Sequence, residues 1–128
     1  MIKVYVTKQS NYPIGATKIK SRLRKFLEEK GIVSDAVVYV NLVGEKAMKE
    51  LSSKYLGEEN QLHTVLSFPE SEVKKKFIYP EDSIRLGEIV LCYPFVVDEA
   101  KKDNMLIDDK VMDLIEHGAL HLLGQHHD

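Results

Sequence analysis

Tryptophan is absent from this chain, and cysteine occurs once, at Cys92. A single thiol excludes any disulfide within the chain and with it the disulfide-stapled secreted scaffolds. The expected location is therefore cytoplasmic. Cys92 lies in the run Ile89-Val90-Leu91-Cys92-Tyr93, so it is expected to be a buried structural thiol. No apolar run approaches the ~20 residues of a membrane span, and no membrane partner is expected. The opening Met1-Ile2-Lys3-Val4-Tyr5-Val6 has no signal-peptide core and reads directly as a strand. A charge excess of one sign is missing too: 18 basic against 20 acidic residues leave a net charge of −2. That balance excludes a nucleic-acid binder that is basic throughout. Repeats, low-complexity tracts and linkers are also absent.

What is present is one compact domain's worth of chain, residues 1–128, with 44% hydrophobic and 30% charged residues. Ile2, Val4 and Val6 alternate as in a strand. Ile19, Leu23, Phe26 and Leu27 fall at helical spacing, which predicts a helix over 17–30, stopped by Gly31. Residues 36–43 are apolar and β-branched, as a well-covered strand requires. Ala47, Met48, Leu51 and Tyr55 share one face of a short helix. A strand is predicted over 63–68, closed by Pro69. Residues 70–86 are charged and irregular, with a break at Pro80. A further strand is predicted over 87–93 and a long helix over 107–123. The order is β-α-β-α-β-β-α, with the two late strands able to pair antiparallel. The fold class is α+β: a single small domain with a mixed, mostly four-stranded sheet packed with helices.

Local charge is uneven. Lys18, Lys20, Arg22, Arg24 and Lys25 cluster on the first helix, and Lys74, Lys75 and Lys76 form a second run. Either is a solvated face or a phosphate-binding patch.

The chemistry concentrates at the C-terminal end, where four of the five histidines fall within residues 117–128. His117 and His121 are four apart, so a helix places them one above the other. Gly124 can end the helix at positive φ and turn the chain, which allows His127 to supply a third ligand. Three imidazoles leave a fourth position open for water or substrate, as at a catalytic zinc site. One zinc ion is the expected cofactor; another divalent transition metal also suits three imidazoles. The reacting nucleophile is expected to be a water at that metal, and no side chain is singled out as the catalytic base. His126 is one residue short of the spacing and is a solvated residue, an outer partner or a competitor for His127. Asp128 can accept a hydrogen bond from a ligating imidazole. His63 begins the predicted third strand and faces either the site or solvent.

The histidine and glycine spacing resembles that of the metzincin peptidases, whose base is a glutamate directly after the first histidine. Gly118 holds that place here, and Glu116 points about 100° away on a helix. Peptide hydrolysis is therefore disfavoured. The fuller match is to another family. The segment from His117 to His127 resembles the H-G-x-L-H-L-x-G-Y-D-H signature of the YbeY family of bacterial zinc-dependent endoribonucleases, also called rRNA maturation factors. Val65-Leu66-Ser67-Phe68-Pro69 and Leu86-Gly87-Glu88-Ile89-Val90 resemble two of that family's strand motifs, in the same order. The resemblance runs over residues 35–128.

The resemblance implies RNA phosphodiester hydrolysis in ribosomal RNA maturation and ribosome quality control, with RNA or the ribosome as partner. It carries metal ligation onto His117, His121 and His127. Ser67, inside a matching strand motif, is a candidate to bond substrate or a site residue, or else an ordinary strand hydroxyl bonded to backbone. The chain departs from the family at several places. Gln125 and His126 replace a Tyr-Asp pair, and His63-Thr64 replaces Thr-Asp. Leu56 follows Tyr55 where the family has an arginine, a cation that Lys54 is the nearest residue to replace. The alternative implied by these departures is a non-catalytic, ribosome-associated metal-binding module. RNA is expected along the first helix, around Lys20 and Arg24. Oligomeric state is not legible.

Overall fold

The computed structural model describes residues 1–69 and 84–124. Four strands and four helices follow in the order β1 (Ile2–Lys8), α1 (Ala16–Glu29), β2 (Ala36–Val43), α2 (Glu45–Leu56), β3 (Val65–Pro69), β4 (Ile84–Cys92), α3 (Tyr93–Lys102) and α4 (Ile107–Leu122). They form one four-stranded sheet in the order β1-β2-β4-β3. β2 runs parallel to β1 and β4, and β3 runs antiparallel to β4 along the edge. The mixed four-stranded sheet and the antiparallel late pair agree with the sequence reading.

The period of two sends Ile2 and Val4 of β1, Val38 and Val40 of β2, and Ile89 and Leu91 of β4 to one face. There they meet the α1 stripe Ile19, Leu23 and Leu27 and the α4 stripe Val111, Met112, Ile115 and Ala119. Residues of the opposite face, Val43, Phe68, Val90 and Cys92, pack on Met48 of α2. The β2 strand is thus covered on both faces over much of its length, which explains its nearly unbroken apolar sequence. Cys92 is fully buried, and burial pushes its thiol pKa up, in keeping with a structural role.

The helix ends obey local chemistry. After α1, Gly31 adopts φ +96, and the Ile32 amide returns to the Leu27 carbonyl at 3.1 Å. Gly57 ends α2 in the same left-handed region. At α4 the acidic Asp108 and Asp109 occupy the first turn, where the helix dipole favours them.

Three boundaries depart from the sequence reading. α3 was not predicted, and Tyr93 starts this helix instead of ending a strand. Its sequence, Tyr93-Pro94-Phe95-Val96-Val97, follows β4 without a loop, so the apolar run reads as a continuing strand. The informative residue is Pro94, which is tolerated in a helix's first turn because its missing N–H is not needed there. β3 starts at Val65 and not at His63, leaving His63 and Thr64 in the preceding loop. β4 starts at Ile84, three residues earlier than read.

That early start contains a bulge. The register with β2 jumps from Val37–Arg85 to Val38–Gly87, so Leu86 is the extra residue. Gly87 has φ +133. No helix among the described residues is long and apolar enough to cross a membrane.

Candidate metal centre

α4 carries the two described histidines of the C-terminal cluster. The Nε2 atoms of His117 and His121 approach to 3.0 Å, with ring centroids 4.6 Å apart and planes at 75°. Helical spacing accounts for the meeting. Two Zn–N bonds of ~2.1 Å at a tetrahedral angle separate their nitrogens by about 3.4 Å. The observed pair is within a few tenths of an ångström of that, so the donor chemistry and its geometry fit a shared ion. Gly124 takes φ +78 just beyond the helix, its amide bonded to the His121 carbonyl at 3.0 Å. The helix end therefore has the left-handed glycine that the spacing called for. Gln125, His126, His127 and Asp128 lie outside the described residues. Among the described residues no three metal-binding side chains come together.

Behind the pair, α4 sits very close to the sheet. A Cβ on Gly118 would lie 2.9 Å from Ile89 Cγ2 and 2.9 Å from Ser67 Oγ. The Ser67 hydroxyl donates to the Gly118 carbonyl oxygen at 3.1 Å. Ser67 is thus engaged with backbone, the backbone of the residue following His117. Sequence reasoning treated Gly118 only as a missing base. Its other signal is a glycine inside a helical apolar pattern, a position that points to a packing constraint.

Glu116 turns away from the pair, as its helical phase requires. It lies 3.8 Å from Arg22 of α1. Burial raises its carboxyl pKa, Arg22 opposes that shift, and Asp113 and Glu29 add to it.

His63 is held elsewhere. Its Nε2 is 2.7 Å from Glu58 Oε1, which also accepts from the buried Ser52 hydroxyl at 2.8 Å. The trio ties the end of α2 to the loop before β3. These hydrogen bonds, from His63 first and Ser52 second, lower the Glu58 pKa below the usual value. A lowered carboxylate pKa stabilises the fold above the unfolded-state pKa, and the gain is lost as pH falls through the folded one. Glu58→Gln is therefore expected to be less stable than the parent at neutral pH. The difference should close below the ordinary glutamate range. Urea unfolding of both proteins from pH 7 to pH 3 checks this, and a gap that widens on acidification would contradict it. Glu58 is 38% exposed, so solvent screening keeps the effect modest.

The basic cluster of α1 is partly committed within the molecule. Lys18 pairs with Asp108 at 3.3 Å, Arg22 faces Glu116, and Arg24 Nε donates to the Ile2 carbonyl at 3.0 Å. Through Nε, Arg24 braces β1, reaching a carbonyl of that edge strand at the α1–β1 contact. Lys25 stays exposed. At the end of α2, Lys54 Nζ lies 5.2 Å from the Tyr55 ring, and Leu56 is 49% exposed. The second basic run, Lys74 to Lys76, is outside the described residues.

Residues 5–128 match the family model described as Endoribonuclease YbeY. An Endoribonuclease YbeY of Acinetobacter baylyi is 30% identical over 110 residues, covering 86% of this chain and 68% of that protein. One from Thermodesulfovibrio yellowstonii is 30% identical over 136 residues, covering 96% and 82%. The solution structure of TM1509 from Thermotoga maritima superposes with a TM-score of 0.60 at 27% identity, covering 98% of this chain and 75% of that one.

Proposed function

The chain belongs to the YbeY endoribonuclease family, and from that premise we propose that it hydrolyses RNA phosphodiester bonds in cytoplasmic ribosomal RNA maturation, using one zinc ion held by His117, His121 and His127. The observation that carries the reading is the pair of Nε2 atoms converging at 3.0 Å on α4, in a chain that matches the family over nearly all its length.

When bound, the ion supplies Lewis acidity toward a phosphoryl oxygen and eases the ionisation of water. The protein's own part is to present two imidazoles in fixed relation and to hold their helix on the sheet. Glu116, the acidic residue next to His117, faces Arg22. Gly118 leaves no room for a carboxylate where a peptidase would place its base, since Ile89 and Ser67 already crowd that point.

The test is RNA cleavage by the purified protein with and without chelator, alongside elemental analysis. Cleavage should disappear on chelation and return with zinc, at about one metal per chain as the three-ligand set implies. Cleavage that continues in metal-free protein would remove the reading.

One observation favours a second reading. Leu56, exposed at the end of α2, stands where the family arginine is expected. A non-catalytic, ribosome-associated module would bind RNA without turnover and lose thermal stability on chelation. The same assay separates the two.

A further inference from the structure

We propose that Ser67 is a positioning residue for the metal centre: its hydroxyl, together with hollows at Gly118 and Gly87, locks the rotation of α4 and so fixes where the His117–His121 pair points. The inference rests on the metal reading above and goes beyond it by naming residues that touch neither metal nor substrate.

Three contacts make the lock. Ser67 and Ile89 are direct neighbours across the β3–β4 pair, and both crowd the same point of α4, where a Cβ of Gly118 would stand. The Ser67 hydroxyl then bonds the Gly118 carbonyl at 3.1 Å; an oxygen with two lone pairs can take this donor without giving up its helical one. One turn further on, a Cβ on Gly87 would lie 3.0 Å from Leu122 Cδ2. Residues 118 and 122 are four apart, so one stripe of α4 is seated at two successive turns.

His117 and His121 each precede a seated residue by one position, about 100° around the helix. Their mutual spacing belongs to the helix alone. Their direction relative to β3 and β4 belongs to the seating. Functional constellations tolerate roughly 10–20° of misorientation. The buried stripe Val111, Met112, Ile115 and Ala119 seats the helix on the core, and the Ser67 bond and the two hollows add a directional fix at the turns that carry the pair.

Two variants test the proposal. Ser67→Ala removes the hydrogen bond with no added bulk. Gly118→Ala keeps the hydroxyl but pushes the helix outward. Zinc affinity is measured by chelator competition at a temperature where each protein is folded, and the visible spectrum of the cobalt-substituted protein reports ligand geometry. The Ser67 bond reaches the backbone beside a ligand and not its imidazole, so each variant should bind zinc more weakly by less than the ~10-fold loss of an imidazole's own outer partner, with a shifted cobalt spectrum. Ser67→Thr, which keeps a hydroxyl, should stay closer to the parent affinity than Ser67→Ala. Unchanged affinity and spectrum in either folded variant would overturn the positioning role and leave Ser67 as ordinary strand-to-helix glue. Zinc binding by the unaltered protein separates the two levels. Its absence removes the metal reading and this proposal together; binding shared equally by parent and variants removes only the proposal.

Discussion

His117→Ala is expected to abolish high-affinity zinc binding and RNA cleavage together, while leaving the metal-free fold intact. Truncating an outer hydrogen-bond partner of a metal ligand costs about 10–100-fold in affinity. Loss of a ligand itself should exceed the upper end of that range. The imidazole of His117 is exposed and its described contact is with His121. Its removal should therefore shift the stability of the metal-free protein by no more than about 0.5 kcal/mol, as for other surface substitutions. His63→Ala is the control: His63 bonds Glu58 and not the histidine pair, so zinc affinity should be unchanged. Chelator competition and cleavage of a ribosomal RNA transcript, run side by side, read both quantities. A His117→Ala protein that still binds zinc tightly and cuts RNA would disprove the assignment.

Gly87→Ala should be the most destabilising small substitution in the sheet. At φ +133 an L side chain is strained, a penalty of about 1–3 kcal/mol. A Cβ there would also fall well inside contact distance of the Phe68 carbonyl oxygen, and 3.0 Å from Pro69 Cα and Leu122 Cδ2. The Phe68 and Pro69 atoms are backbone of a paired strand and cannot swing aside like a flexible side chain. Overpacking of this kind adds about 1–3 kcal/mol. A total near 3 kcal/mol or more is a large share of the ~5–15 kcal/mol that usually holds a domain together. The urea midpoint should fall steeply, with the slope of the transition unchanged. Gly15→Ala is the comparison, since a Cβ at Gly15 meets nothing within 4 Å. If the two variants unfold at the same denaturant concentration, the bulge is not under the constraint argued here.

Most of the elements were legible because their signals are local. Ile19, Leu23 and Leu27 repeat at helical spacing, and all three are buried in α1. The β2 strand reads as apolar and is apolar on both sides. Helix α3 escaped because it begins where β4 ends, and its valines suit a strand as well as a helix. Here packing overrode propensity: Tyr93, Val96 and Ala100 face inward at helical spacing.

Sequence alone determined the histidine pair and the helix end at α4. Two histidines four apart on a helix must lie on one face, and a glycine three residues on can take the left-handed conformation that ends the helix. Both follow from backbone geometry over a few residues, so no fold is needed to foresee them. Tertiary structure alone decided what surrounds them. The Ser67–Gly118 bond joins residues 51 positions apart, and the crowding at Gly118 exists only once β3, β4 and α4 are assembled. The same is true of Arg22 turning to Glu116, of Arg24 bracing Ile2, and of His63 pairing with Glu58. Such partners are chosen by which surfaces meet in space, and no periodicity along the chain encodes that meeting.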